Sequence, residues 1–231
     1  MSHTFPTAES TVSEKHRLAP QPSSDSTLIL SMPYMDRGLA GWYSRAAKSP
    51  LVAFGLLGFA AVGYSVGVAL PLALAKALPM PDPFLRIANA DYFYWGIYLY
   101  APVIVAAWLL ASGAMYQVGW TLGGKGDFSE LLRLTAFATG LGTLGTLLSD
   151  LVTSPLRALG VINEQVWEQS VANQGSWFVF LWFWLILYVV LFLVCYPIAV
   201  RLATRLPWSR AIAVSVLGFI VFQGFEYVFI R

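Results

Sequence analysis

The chain has 231 residues, of which 58% are hydrophobic and only 11% are charged, and its formal net charge is +2. Soluble domains carry about 25% charged residues, so this sequence has too few charges to cover a water-exposed surface. The small net charge provides no electrostatic footprint for nucleic acid, and we expect no nucleic-acid partner. The composition predicts an integral membrane protein.

Cysteine and histidine are too scarce for several kinds of site. Cys195 is the single cysteine, and the two histidines, His3 and His16, lie in the N-terminal tail. One cysteine cannot form an internal disulfide bond or a cysteine-cluster metal site. A Ser-His-Asp triad or a histidine-bound zinc ion within the folded region is likewise excluded. We therefore expect no metal, no cofactor and no enzymatic activity.

The N-terminal segment divides into two parts. Residues 1–35 are rich in Ser, Thr, Pro and Glu, which is typical of a disordered tail, and they do not have the pattern of a secretory signal. Residues 36–49 predict a short amphipathic helix with Asp36 as its N-cap. Its apolar face is formed by Leu39, Trp42, Tyr43 and Ala46, and its basic face by Arg37, Arg45 and Lys48. Such a helix suits the headgroup region of an anionic leaflet, and packing against other protein is the alternative.

Five apolar runs follow, and each is long enough to cross a hydrocarbon core about 30 Å thick, which takes about 20 residues. They cover residues 51–78, 92–118, 131–152, 176–203 and 211–230. Pro71, Pro102 and Pro197 lie inside the three longest runs and are the expected kink points. The sequence therefore predicts an all-α membrane domain over residues 50–231, with five transmembrane helices in a bundle.

Basic residues predict the orientation of these spans. Of the 14 Lys and Arg residues, ten fall on the side of the N-terminal tail. The four on the other side are Lys76, Arg86, Arg157 and Arg231. This asymmetry predicts a cytoplasmic N-terminus and a C-terminus on the opposite side. The pattern fits a bacterial inner membrane and a eukaryotic secretory-pathway membrane equally well.

Small residues predict where the helices pack closely. Gly63 and Gly67 are four residues apart in the first span, and Ala138, Gly142 and Thr146 share one face of the third. We therefore expect the third span to lie in the middle of the bundle. The fourth span carries bulky aromatic side chains on all sides, and we expect it to face lipid or a partner.

A glycine-rich loop joins the second and third spans. It contains Gly123, Gly124, Lys125 and Gly126. Glycine allows a sharp turn of the backbone here, and Asp127 or Ser129 is expected to cap the next helix. A phosphate-binding loop would need Ser or Thr after the lysine and a strand before the loop, so a connecting turn is the favoured interpretation.

These motifs together resemble the Yip family of multi-span membrane proteins. The resemblance rests on the loop GGKGDF at 123–128, on LRL at 132–134, and on a tryptophan-rich later span followed by Arg210 and Ala211. It implies a five-helix fold with a cytoplasmic N-terminus. Eukaryotic members are adaptors that bind Rab-type GTPases and other Yip proteins, so a small GTPase is an implied partner if the chain is eukaryotic. The family's DLYGP-like segment is absent from residues 36–43, which predicts a divergent or prokaryotic member.

Ionisable residues near the spans are candidates for function. Lys76, Arg133 and Asp150 lie near span ends, where snorkelling or water satisfies their charges. Glu226 lies in an aromatic setting, and it is our candidate for an intramembrane polar site in contact with a partner or an ion. We expect Asp150 and Glu226 at opposite ends without a shared pocket, and no charge near the midplane. This placement argues against acid–base catalysis and against a proton relay.

The leading hypothesis is a non-catalytic integral membrane scaffold or adaptor, and the alternative is an oligomeric channel or transporter for ions or small molecules. The expected partners are the lipid bilayer and other integral membrane proteins. The residues predicted to contact a partner or lipid are Gly123, Gly124, Lys125, Gly126, Arg133, Arg201, Arg205 and Arg210.

Overall fold

A computed structural model of the chain describes residues 38–77, 87–162 and 176–229. Within these ranges every regular element is a helix, and five helices are long and apolar enough to cross a membrane. The predicted fold class is therefore confirmed. Several sequence predictions lie outside the described residues: the tail 1–35, Asp36, Arg37, Arg86 and Arg231.

Six helices form the described structure. They are α1 (Leu39–Ala46), α2 (Pro50–Leu74), α3 (Tyr92–Thr121), α4 (Phe128–Ala158), α5 (Ser176–Thr204) and α6 (Trp208–Phe229). Helix α2 contains a π-helical segment at Gly63–Ala69, and a 3-10 turn at Asn89–Asp91 precedes α3. Helix α2 ends at Leu74, before the predicted position 78, because Lys76 adopts a left-handed backbone with φ +54°.

Helix α4 lies at the centre of the bundle, as the small residues predicted. Its most apolar 18-residue window is 67% buried, against 17% for the corresponding window of α5. It also runs to Ala158, six residues beyond the predicted end, and passes through Pro155. Thr153 and Ser154, which belong to this extension, are buried against the rest of the protein.

Glycines let the neighbouring helices approach α4 closely. A Cβ on Gly140 would come within 2.7 Å of the backbone nitrogen of Leu57 on α2. On the side of α5, a Cβ on Gly142 would overlap the ring of Phe192. Ala138 is fully buried on the same helix. A Cβ on Gly140 would therefore force α2 and α4 apart, and one on Gly142 would force the Phe192 ring to move, since interiors have no spare volume.

Gly63 and Gly67, the small residues predicted to pack closely in α2, contact side chains of α4. Gly63 lies beneath the side chain of Leu147, and Gly67 lies beneath that of Leu151, both from α4. They therefore receive leucine side chains rather than a neighbouring backbone. They also belong to the π-helical segment, which the sequence analysis did not predict.

Helix α5 does not face lipid along its whole length, contrary to the prediction. Its first half exposes large side chains such as Trp182, Phe183 and Ile186, but residues 195–200 are all buried. Tyr188, Phe192 and Tyr196 are also buried. Aromatic rings on this face fill the space that the glycines of α4 leave, which is why so bulky a helix packs against the centre.

Helix α1 packs on the bundle, and Tyr43 is the residue of its predicted apolar face that is fully buried. Ala40, Tyr43 and Ala47 are buried, whereas Leu39 and Trp42 stay exposed. The Tyr43 hydroxyl donates a 2.6 Å hydrogen bond to the Leu134 carbonyl oxygen of α4. The bundle thus buries the side of α1 that carries Ala40, Tyr43 and Ala47. Leu39 and Trp42 form an exposed apolar surface on this helix.

Candidate functional site

The glycine-rich turn between α3 and α4 is packed onto the end of α5. The Lys125 N–H donates to the Thr204 carbonyl oxygen at 2.9 Å, and the Gly124 N–H donates to the Gly119 carbonyl oxygen at 2.9 Å. From the start of α6, Arg210 Nη1 donates to the Leu122 carbonyl oxygen at 2.8 Å. Hydrogen bonds to main-chain carbonyl oxygens therefore join the α3–α4 turn to both α5 and α6.

Each glycine of this turn is required for its own reason. Gly123 has φ +88°, a conformation that side chains with a Cβ rarely adopt. A Cβ on Gly124 would come within 2.8 Å of the Gly119 carbonyl oxygen, and one on Gly126 would overlap the Ala203 carbonyl oxygen. These glycines therefore determine the shape of the turn. The Lys125 side chain is exposed, so a substitution can remove its charge without changing the shape of the turn.

The start of α4 is fixed by a side-chain cap. Asp127 accepts hydrogen bonds from the Ser129 N–H at 3.2 Å and from the Ser129 hydroxyl at 2.7 Å. Of the two capping candidates, Asp127 is the cap. The bonds from Ser129 favour the ionised carboxylate, so they lower the pKa of Asp127 below its usual value. A negative group here also interacts favourably with the N-terminus of α4.

Helix α1 and the start of α4 are connected through Arg133. Its Nη1 donates to the Lys48 carbonyl oxygen at 2.9 Å, and its Nη2 lies 3.8 Å from the Glu130 carboxylate. The second contact is an exposed ion pair, which contributes about 0–1 kcal/mol. The bond to the main chain of residue 48 is what ties α1 to the same end of the bundle.

At the α5–α6 junction, two arginines lie beside a groove. Arg201 Nη1 donates to the Leu206 carbonyl oxygen at 3.2 Å, and the guanidinium carbon lies 4.8 Å from the centre of the Trp208 ring. Arg205 ends α5 with φ +58°. The whole surface, which we call the basic platform, comprises Arg45, Lys48, Lys125, Arg133, Arg201, Arg205 and Arg210. The structure thus brings the predicted contact residues of the loop, α4 and the α5–α6 junction to one end of the bundle.

A second candidate lies toward the opposite end, between α2 and α4. The Tyr64 hydroxyl donates a 2.6 Å hydrogen bond to the Thr146 hydroxyl oxygen. The Asp150 carboxyl group, one turn further along α4, interacts with the same tyrosine hydroxyl. Tyr64 lies 14 residues after Pro50, which places it about 21 Å along α2 from the platform end. These groups are therefore within the predicted spans.

Helices α5 and α6 complete this intramembrane polar cluster. The Tyr188 hydroxyl lies 2.6 Å from Gln223 Oε1, to which it donates, and 3.1 Å from Glu226 Oε2. Gln223 Nε2 donates to the same carboxylate oxygen at 3.4 Å. Glu226 also acts electrostatically on Tyr64. We call Tyr64, Thr146, Asp150, Tyr188, Gln223 and Glu226 the polar cluster.

The prediction that Asp150 and Glu226 lie at opposite ends is therefore wrong. Both carboxylates act electrostatically on Tyr64, because each lies toward the end of its helix that is farther from the basic platform. A sequence signal for part of this site exists, since Thr146 and Asp150 are four residues apart, as neighbours on one helical face are. Gln223 and Glu226 have the corresponding spacing of three. The tyrosines gave no such signal.

The residues predicted for helix packing lie apart from the basic platform. Gly63, Gly67, Ala138 and Gly142 lie in helix–helix contacts inside the bundle, and Thr146 belongs to the polar cluster, so none of the five joins the basic platform. Within the described residues, no group of three or more His, Cys, Asp or Glu side chains could hold a metal ion.

No protein-family model, curated protein or solved structure matches this chain. The resemblance to the Yip family, with its implied partners, stays a prediction from the sequence motifs. The geometry described above establishes a five-helix integral membrane protein with a basic platform at one end of its bundle and a polar cluster nearer the other.

Proposed function

We propose that this protein is a non-catalytic membrane scaffold that associates with other integral membrane proteins. The observation that carries the proposal is the basic platform. Hydrogen bonds to main-chain carbonyl oxygens join the α3–α4 turn, α4, the end of α5 and the start of α6. A surface that is ordered before contact loses little conformational freedom when a partner binds, which favours association.

In this proposal the platform and the N-terminus face the cytoplasm, and the C-terminus lies on the other side. The support is the excess of basic residues at the platform end. A bacterial inner membrane and a eukaryotic secretory-pathway membrane both remain compatible with this orientation. In the second case a small GTPase joins the integral membrane proteins as a proposed partner, through the Yip resemblance.

Cysteine labelling tests the orientation. Ser129 and Val161 are exposed at opposite ends of α4, whereas the native Cys195 is buried and should label poorly. A membrane-impermeant thiol reagent should modify Ser129→Cys only from the cytoplasmic side and Val161→Cys only from the other. Modification of position 129 from outside would invert the proposed topology.

Site-specific photocrosslinking tests the scaffold role. A photoreactive residue at position 125 should give discrete protein adducts in native membranes, and one at position 76, on the opposite end, should give few. Arg45 and Lys125 are exposed, and no side-chain hydrogen bond to the bundle is described for either. The double variant Arg45→Gln, Lys125→Gln should therefore stay folded and lose these partners. Equal adducts at both positions, or none at position 125, would contradict a docking platform.

A channel or transporter is the second candidate, and the polar cluster is the observation that favours it. Two carboxylates inside the spans are costly to maintain and mark ion or substrate pathways in many membrane proteins. Reconstituted protein tests this function through ion flux into liposomes. Robust flux that disappears in Glu226→Gln, together with no adducts at position 125, would replace the scaffold by a transport function.

A further inference from the structure

A groove opens at the basic end, between α1 and the end of α5. Ala40, Gly41 and Ser44 of α1 line one wall, and Arg201, Leu202 and Arg205 of α5 line the other. Its volume is about 410 Å³, which is within the range of about 300–1,000 Å³ typical of sites for small ligands. The groove can therefore hold a compact charged group.

The charge of the groove is positive. Arg201 is on the last turn of α5, Arg205 follows the helix, and none of the six described lining residues is acidic. Like charges that line the same groove repel each other. An anion placed between the two guanidinium groups would convert this repulsion into two attractions.

Arg201 is oriented before any ligand arrives. Its bond to the Leu206 carbonyl oxygen and its position over the Trp208 ring fix the plane of the guanidinium group. Guanidinium groups carry five N–H donors in a fixed fork that matches the oxygens of a phosphate. Because less side-chain freedom is lost, a held arginine binds such an anion more tightly than a mobile one.

The α1 wall leaves room for a bulky group to approach. A Cβ on Gly41 would meet no atom within 4 Å, and the Ser44 side chain is exposed. Ala40 and Gly41 also belong to the first turn of α1, where N–H groups have no partner within the helix. No side-chain cap occupies that turn.

The surroundings indicate a lipid rather than a soluble anion. Leu39 and Trp42 are 43% and 48% exposed, and they lie on the side of α1 turned away from the groove residues Ala40, Gly41 and Ser44. Tryptophan is enriched where membrane meets water, and both Trp42 and Trp208 lie at this end of the spans. The groove therefore opens at the level of the lipid headgroups, where a headgroup can enter it while its acyl chains stay in the membrane.

We propose that this groove binds the headgroup phosphate of an anionic phospholipid. The phosphate would lie between Arg201 and Arg205, with the open backbone of Gly41 on its other side. The Ser44 hydroxyl takes no part, because it donates to the Gly41 carbonyl oxygen at 3.0 Å. The site goes beyond the scaffold role and requires no protein partner.

Native mass spectrometry of the full chain in mild detergent tests the proposal, with phosphatidylglycerol and phosphatidylcholine supplied at equal concentrations. The wild-type protein should retain phosphatidylglycerol in preference. Arg205→Gln should weaken this binding about five-fold, the effect of one basic group at an anionic surface. Gly41→Leu should block the groove by occupying its open wall. Lys76→Gln is the control with the same loss of charge, because Lys76 is exposed at the opposite end of the spans and does not line the groove.

Three results would overturn the proposal: equal retention of the two lipids, unchanged retention in both groove variants, or an equal loss in Lys76→Gln. A final experiment adds inorganic phosphate to the delipidated protein. If it stabilises the delipidated protein as strongly as phosphatidylglycerol does, the ligand is a free phosphate and the lipid assignment fails. Photocrosslinking at position 125 reads out the scaffold role separately, so the two proposals can fail independently.

Discussion

The basic platform and the polar cluster satisfy their polar groups in opposite ways. At the platform, Lys125, Arg133 and Arg210 make their contacts to main-chain carbonyl oxygens. In the cluster, Tyr64 and Tyr188 bond to other side chains. The platform therefore has a shape determined by its backbone, whereas the cluster depends on four helices presenting the right side chains together.

This difference follows from the surroundings of each site. Near water, an exposed ion pair such as that of Arg133 and Glu130 adds little, because water competes for both charges. Within the membrane, a polar side chain without a partner is costly, so side chains of different helices satisfy one another. A change of backbone geometry should therefore damage the platform most, and loss of a single hydroxyl should damage the cluster most.

The largest effect is expected for Gly126→Val. Its side chain would overlap the Ala203 carbonyl oxygen, so the turn must separate from α5. Overpacking of this kind typically costs about 1–3 kcal/mol. Thermal unfolding in detergent should show the loss. Gly113→Ala is the control, because a Cβ there meets nothing within 4 Å. If both variants unfold at the wild-type temperature, the turn is not held by this contact.

Tyr188→Phe should have an intermediate effect. It removes the hydroxyl that bonds to Gln223 and lies beside Glu226. Side-chain hydrogen bonds between membrane helices contribute about 0.6 kcal/mol on average and at most about 1.7 kcal/mol. Tyr98→Phe, at an exposed position on α3, should change the free energy of unfolding by much less. Equal losses in the two variants would show that the Tyr188 hydroxyl is not specially bonded.

Glu130→Gln should have a smaller effect, about 0–1 kcal/mol, because its ion pair with Arg133 is exposed. The effect should shrink further as salt is added, since salt screens exposed charges. Unfolding measured at low and high ionic strength checks this expectation. A loss that is large and independent of salt would mean that the pair is shielded from solvent.

The smallest effect is a pH dependence at the cap of α4. The hydrogen bonds from Ser129 lower the pKa of Asp127, so the ionised cap stabilises the fold above the pKa of the unfolded chain. That stabilisation is lost as pH falls through the lower pKa of the folded state. The difference in stability between wild type and Asp127→Ala should therefore narrow between pH 5 and pH 2. A difference that stays constant over this range would contradict an ionised cap.

The sequence predicted those features that depend on one segment at a time. Five spans follow from apolar length, and the central place of α4 follows from Ala138 and Gly142. That Asp150 and Glu226 both act on Tyr64 could not be predicted in this way, because it depends on how the helices are arranged and how each is rotated. The same reason applies to α1, whose contacts with Leu134 and Phe137 bury Tyr43 but not the whole predicted apolar face.

The pairing of α6 has a consequence for biosynthesis. Helix α6 leaves the ribosome after α3 and α5, and it packs mainly against these two helices. Its carboxylate, Glu226, is the kind of group that resists entry into lipid by about 2.5–3.5 kcal/mol at mid-membrane. Tyr188 on α5 is in place to bond it on arrival, and Met115 on α3 lies where Gly218 leaves space. The earlier helices thus form the receiving surface for α6, and a nascent chain that stops after α5 leaves that surface open to the insertion machinery.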